Sequence, residues 1–225
     1  MGELLGAIGL AWPRLLLYPG GLFAVVAAHL LGAWLRRCAG SPVPAMALPG
    51  PATLCHAVGT LALLALLPLA PARSVPFGLD LFMALGLLEW PYLARRASRE
   101  RVLRAYLPLI VATTALATAT GSVELTALLR VPASPQGQAL LAGGTALWLL
   151  ALRRLLTDAS GGVADDLRAL GLLLVAALPV LGALASLLEA ILPGPLAGWL
   201  LPPAAMLICA LALGGMMRAA RGRAC

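Results

Sequence analysis

Long apolar runs, separated by short polar breaks, fill almost the whole chain. The runs cover residues 15–35, 52–70, 76–94, 105–123, 135–152, 169–188 and 190–217. A helix needs about 20 mostly apolar residues to cross a bilayer, so the pattern predicts seven spans. The last run is longer than one span. Pro193, Gly194 and Pro195 near its start predict an irregular or re-entrant entry, with the span itself from about Leu196 to Met217 and Pro202–Pro203 inside it. Backbone groups in hydrocarbon must be satisfied within their own segment, which selects helices. A β-barrel strand would alternate polar and apolar residues, and 61–67 does not. The fold class expected is therefore an all-α polytopic bundle, one transmembrane domain over 1–225.

The polar breaks also alternate in charge. All sixteen basic residues are arginine, and thirteen of them fall in every second gap: Arg36–Arg37, Arg95 to Arg104, Arg153 to Arg168, and Arg218 to Arg223. The intervening gaps hold Arg14, Arg73 and Arg130. Basic loops stay on the cytoplasmic side of a membrane, so the N-terminus is expected outside and the C-terminus inside. The arginine-free start, with Glu3 leading into a full-length run, does not read as a signal peptide.

Composition agrees with that topology. The chain is 61% hydrophobic and 11% charged, with mean hydropathy +0.96, against about 25% charge in soluble domains. The net charge of +7 is split over short breaks beside apolar runs. That favours anionic lipid, at about 1 kcal/mol per basic residue, over nucleic acid. The absence of lysine beside abundant Ala, Leu, Gly and Arg reads as genomic bias. Four cysteines, Cys38, Cys55, Cys209 and Cys225, form no CxxC pair, so no disulfide is expected.

Nucleophile, metalloprotease and P-loop motifs are absent, and no catalytic residue is assigned. The candidates for chemistry are ionisable groups inside the runs. A central Asp costs about 2.5–3.5 kcal/mol to insert. Asp80 and Glu89 share the third run, nine residues apart, which places them on opposite faces about 13.5 Å apart along a helix. They read as steps of a proton or ion path. Alternatively Asp80 is hydrated at the outer interface and Glu89 pairs with a nearby cytoplasmic arginine. His29 and His56 fall at similar depth on consecutive runs, as a bis-histidine haem requires; the structural alternative is hydrogen bonding to a neighbouring helix. The cluster Arg95, Arg96, Arg99, Glu100 and Arg101 is either a topology anchor or a docking surface for a soluble partner. In the break 153–168, Asp165–Asp166 are expected to open the sixth helix, where its dipole favours acidic groups. Gly143–Gly144, Gly182/Ser186 and Gly214–Gly215 permit close helix contact. Pro91, Pro108 and Pro179 are expected to kink helices or mark their ends.

Three segments carry a family resemblance. They are LLLYPGGLFAVVAAHLLGAWLRR at 15–37, ASRERVLRAYLPLIV at 97–111, and LPPAAMLICALALGGMMRAARGR at 201–223. Together they resemble the membrane heel subunit of respiratory complex I and its counterpart in membrane-bound [NiFe] hydrogenase and formate hydrogenlyase. The ASRE segment is the most specific of the three. The chain departs from that pattern at 37–42, where Arg37-Cys38-Ala39-Gly40-Ser41-Pro42 stands in place of an Arg-x-Gly-Pro ending. It departs again at Leu107, where the family has a glutamate before the helix proline, and at 153–168, where only Asp158, Asp165 and Asp166 echo an acidic quinone-facing loop. The resemblance implies a non-catalytic subunit in the inner (cytoplasmic) membrane, with membrane and peripheral redox subunits as partners. It implies no redox centre of its own, and the departures fall on the positions through which the family would bind quinone and relay protons. A small-solute permease and a haem-bearing anchor using His29 and His56 are the competing classes.

Overall fold

A computed structural model of the chain describes residues 22–41, 55, 57–61, 80–96, 99–157, 162–188 and 194–222, and within these the side chains of 22–23, 90–105, 157 and 194–199 lie outside the description. All regular structure among the described residues is helical: α1 Leu22–Ala39, α2 Leu81–Arg96, α3 Arg99–Thr120, a 3-10 turn Leu125–Leu129, α4 Pro135–Thr157, α5 Val163–Leu188 and α6 Gly194–Gly222. Extended pairing is limited to one isolated bridge, Asp80 with Glu124.

Three of these helices are long and apolar enough to cross a membrane: Pro135–Leu156, Val163–Leu188 and Leu200–Gly222. Tyr106–Thr120 is a shorter apolar helix. The 26 residues of α5 extend about 39 Å at 1.5 Å each, more than the roughly 30 Å of a hydrocarbon core. The expected run at 15–35 is described from residue 22, where it forms most of α1, whereas the run at 52–70 lies largely outside the described residues.

α5 is the axis of the bundle. Its residues are buried without a break from Asp166 to Pro179. A helix that is apolar on every side needs neighbours on every side, and α1, α2, α4, α6 and the 3-10 turn pack around it. α3 lies against α4 as an antiparallel hairpin. Trp148 of α4 is fully buried, and its indole N–H donates to the Leu172 carbonyl of α5 at 3.0 Å.

Local signals set the helix ends. Ser134 caps α4, its Oγ accepting from Gly137 N at 3.1 Å, and Pro135 takes the first helical position, where its missing N–H costs nothing. α1 ends on Gly40 at φ 75°. There Gly40 N donates to Arg37 O and Ser41 N to Arg36 O, the paired closure that a left-handed glycine permits. Asp165 and Asp166 stand in the first turn of α5, as the sequence predicts.

The arginine-bearing breaks meet at one end of the bundle. Arg36 at the close of α1 reaches Asp166 at the start of α5. A Cβ placed on Gly40 would lie 2.9 Å from Arg221 Cζ near the end of α6. At the other end Leu81 N donates to Val123 O at 2.8 Å, and the 3-10 turn lies against α5.

Pro91, Pro108 and Pro179 lie inside α2, α3 and α5, so of the two outcomes expected of them they are not helix ends. Other expectations change. α6 runs from Gly194 through Pro202 and Pro203, two residues ahead of the expected start near Leu196, and the expected irregular entry at 190–193 lies outside the described residues. Pro195 sits in the first turn, where no hydrogen bond is lost, and the core residues Leu201 and Ala205 hold the middle turns in register. The break 153–168 is mostly helix: Arg153 and Arg154 belong to α4, and Arg168 lies in the second turn of α5. Within each glycine pair one member makes the contact. A Cβ at Gly144 would press on Leu116, one at Gly182 would meet the Leu129 backbone, and one at Gly214 the Trp34 ring, whereas Gly143 and Gly215 face open space.

Gly182→Ala is therefore expected to destabilise the protein by about 1–3 kcal/mol, since a backbone cannot step aside as a side chain can. Gly215→Ala should be neutral or slightly stabilising. Reversible unfolding in mixed detergent micelles measures both.

Candidate functional site

Two ion pairs, one buried and one half-buried, occupy the arginine end, both organised by the first turns of α5. Asp166 and Arg168 are two residues apart, about 200° around the helix, so one serves α1 and the other serves α2 and α3.

Arg168 holds Glu89 of α2 in a two-pronged grip, Nε to Oε1 at 2.7 Å and Nη2 to Oε2 at 2.5 Å. The Tyr106 hydroxyl of α3 donates to Glu89 Oε2, and Arg168 Nη2 also reaches the Tyr106 oxygen at 3.4 Å. The side chains of Arg168 and Glu89 are 4% and 2% exposed. Such burial costs several kcal/mol per ion and is repaid only by close geometry and further hydrogen bonds. A planar guanidinium meets a carboxylate along two parallel bonds, and Tyr106 adds a third donor.

Asp166 receives Arg36 of α1, Nη1 to Oδ1 at 2.6 Å and Nη2 to Oδ2 at 3.2 Å. His29 Nδ1 lies 3.3 Å from Oδ2. His29, Gly32 and Arg36 share one face of α1 by their spacing of three and four. Gly32 makes the site possible, because a Cβ there would collide with the Asp166 carboxylate. Beside this pair a cleft of about 30 Å3 is lined by Gly32, Arg36, Ser41, Asp165 and Asp166. One water needs about 10–15 Å3, whereas a ligand pocket takes about 300–1,000 Å3. The buried Arg36 Nε has no hydrogen-bond partner among the described residues.

Chemically, this end neutralises charge. Both oxygens of Glu89 and both of Asp166 are engaged by arginine, with Tyr106 and His29 as further partners. Among the described residues no three His, Cys, Asp or Glu gather as a metal site.

Of the residues singled out in the sequence, Glu89 and His29 are brought to this end, in separate pairs. Pairing of Glu89 with an arginine is the alternative the structure displays, and the arginine comes from 79 residues away. Asp80 sits at the opposite end. Its Oδ1 accepts from Met83 N at 2.6 Å, an N-cap bond that starts α2. His56 and Asp158 lie outside the described residues. Arg95 and Arg96 close α2, and Arg99, Glu100 and Arg101 open α3; their side chains lie outside the description.

Sequence reasoning missed Arg168, Tyr106, Arg36 and Asp166 as site residues. One signal was present. Opening the sixth helix at Asp165–Asp166 puts Arg168 inside a helix that continues with Ala169, Leu170 and Gly171, and an arginine there needs a partner.

Arg168→Leu and Glu89→Leu are each expected to cost about 3–5 kcal/mol by stranding a buried charge. The double variant should cost far less than their sum, which an unfolding double-mutant cycle reads directly. Asp166→Ala should cost less than either, about 1–3 kcal/mol, because Arg36 is 15% exposed and can turn to water. No family model, curated protein or solved structure matches this chain.

Proposed function

We propose that the protein is a multi-pass membrane scaffold, a non-catalytic subunit that presents its arginine end to peripheral partners on the cytoplasmic side. The observation that carries this reading is the gathering of arginine-bearing helix ends at one end of an apolar bundle, around one buried and one half-buried ion pair whose carboxylate oxygens are already engaged. A permease needs a polar path between helices, and the two buried carboxylates described here, Glu89 and Asp166, are spent on arginines. Seven spans and an outside N-terminus are what the arginine alternation supports, and the inner membrane is what the family resemblance implies.

Within this reading the segments similar to the complex I heel subunit and its hydrogenase counterparts name the assembly: a membrane-bound redox complex whose centres lie in other subunits. The α2–α3 junction carries Arg95, Arg96, Arg99, Arg101 and Arg104 within ten residues of sequence. Charge at such a rim steers a partner and fixes its register. Glu89 and Asp80 serve structure, the first by tying α2 to α5 and the second by starting α2.

The test is purification of the tagged full chain from its own cells in a mild detergent. Redox subunits carrying iron–sulfur or metal centres are expected to accompany it. The combined substitution Arg95→Gln, Arg96→Gln, Arg99→Gln and Arg101→Gln should reduce their recovery at least tenfold and leave carbonate-resistant membrane association unchanged. Isolation of the unaltered chain alone, under conditions that keep other membrane complexes intact, contradicts the assembly.

A further inference from the structure

Arginine remains at the α1–α6 seam after the two ion pairs are made. Arg37 near the end of α1, and Arg218 and Arg221 near the end of α6, are exposed. Among the described residues no carboxylate lies within ion-pair distance of these three. The two helices run parallel, both ending at the arginine end, and they touch where Trp34 lies over Gly214. Arg221 stands over Gly40, the turn that closes α1. Its charge there suits the negative end of the α1 dipole. Arg218, three residues earlier, shares that side of α6.

Below each terminal arginine runs an exposed apolar stripe of identical spacing. On α1 it is Val26, Leu30 and then Arg37; on α6 it is Leu207, Leu211 and then Arg218. Steps of four and then seven residues keep each set within about 40° of arc, with the arginine about 10.5 Å above the second apolar residue. Apolar surface at acyl depth beneath an unpaired guanidinium is the profile of a phospholipid, phosphate above and chains below.

We infer that the arginine end of the α1–α6 seam is a binding site for an anionic phospholipid, its phosphate held by Arg37, Arg218 and Arg221 and its chains against the two stripes. The inference rests on the membrane reading above and is independent of the redox assembly. Free phosphate meets only the upper half of the site.

Native mass spectrometry of the detergent-purified full chain, titrated with phosphatidylglycerol, cardiolipin or phosphatidylcholine, tests it. Anionic lipid should bind at least tenfold more tightly than phosphatidylcholine. Each Arg→Gln change at 37, 218 or 221 should weaken binding about fivefold, and the three together about 100-fold. Arg153→Gln, at the same end but on α4, should leave affinity within twofold. A triple Arg→Lys variant, which keeps the charge, should retain most of the binding and guards against loss of fold in the triple Gln variant. Millimolar inorganic phosphate should not displace the lipid. Equal binding of phosphatidylcholine, equal loss on Arg153→Gln, or full competition by phosphate overturns the site. Failure of the chain to resist carbonate extraction would instead overturn the membrane reading beneath it.

Discussion

An arginine side chain cannot stay charged inside an apolar bundle unless a carboxylate comes to meet it, and that requirement organises this protein. Arg168 lies on the most deeply buried helix. Its guanidinium draws Glu89 from α2 and, through that carboxylate, Tyr106 from α3. Two residues earlier Asp166 does the reverse and draws Arg36 and His29 from α1. A single helical turn thus joins four helices at one end. The pairing adds little net stability over apolar packing of equal volume. It fixes which helices meet and at what height, because a slip of one turn would strand two charges.

The rest of the bundle complies with that register. Gly32 leaves room for the Asp166 carboxylate, and Gly182 and Gly214 let the 3-10 turn and Trp34 close against α5 and α6. Between these contacts α5 is lined with leucine, alanine and valine, which pack without polar demands. Outward-facing leucines such as Leu30, Leu187 and Leu211 are left on the perimeter, where water would be a poor solvent and lipid a good one. Charge is thereby sorted by position: paired at the axis, and without a carboxylate among the described residues at Arg37, Arg218 and Arg221.

Much of this was legible beforehand. Apolar periodicity marks out the helices that the structure describes, and arginine alternation foretells that Arg36, Arg168 and Arg221 share one end. Asp165 and Asp166 announce the start of α5. What the sequence hid was partnership across distance. Nothing local to Glu89 points to an arginine 79 residues away, because ion pairing depends on how helices are set side by side and not on spacing within one. Prolines were ambiguous for the opposite reason. Pro108 and Pro179 can locally either kink a helix or end it, and neighbouring helices supply enough contact to carry each helix past the missing hydrogen bond.

Side-specific labelling bears most directly on the claim that the arginine-bearing helix ends share one membrane face. In a cysteine-free background, Ser41→Cys, Gly162→Cys and Gly222→Cys would be compared in intact cells with Gly121→Cys and Ala133→Cys, using a thiol reagent that cannot cross the membrane. The first three should stay unlabelled until the cells are opened, and the last two should react at once. Reaction of positions 41 and 222 from opposite sides would contradict the claim, because α1 and α6 could then not run parallel and the pair between Arg36 and Asp166 could not form.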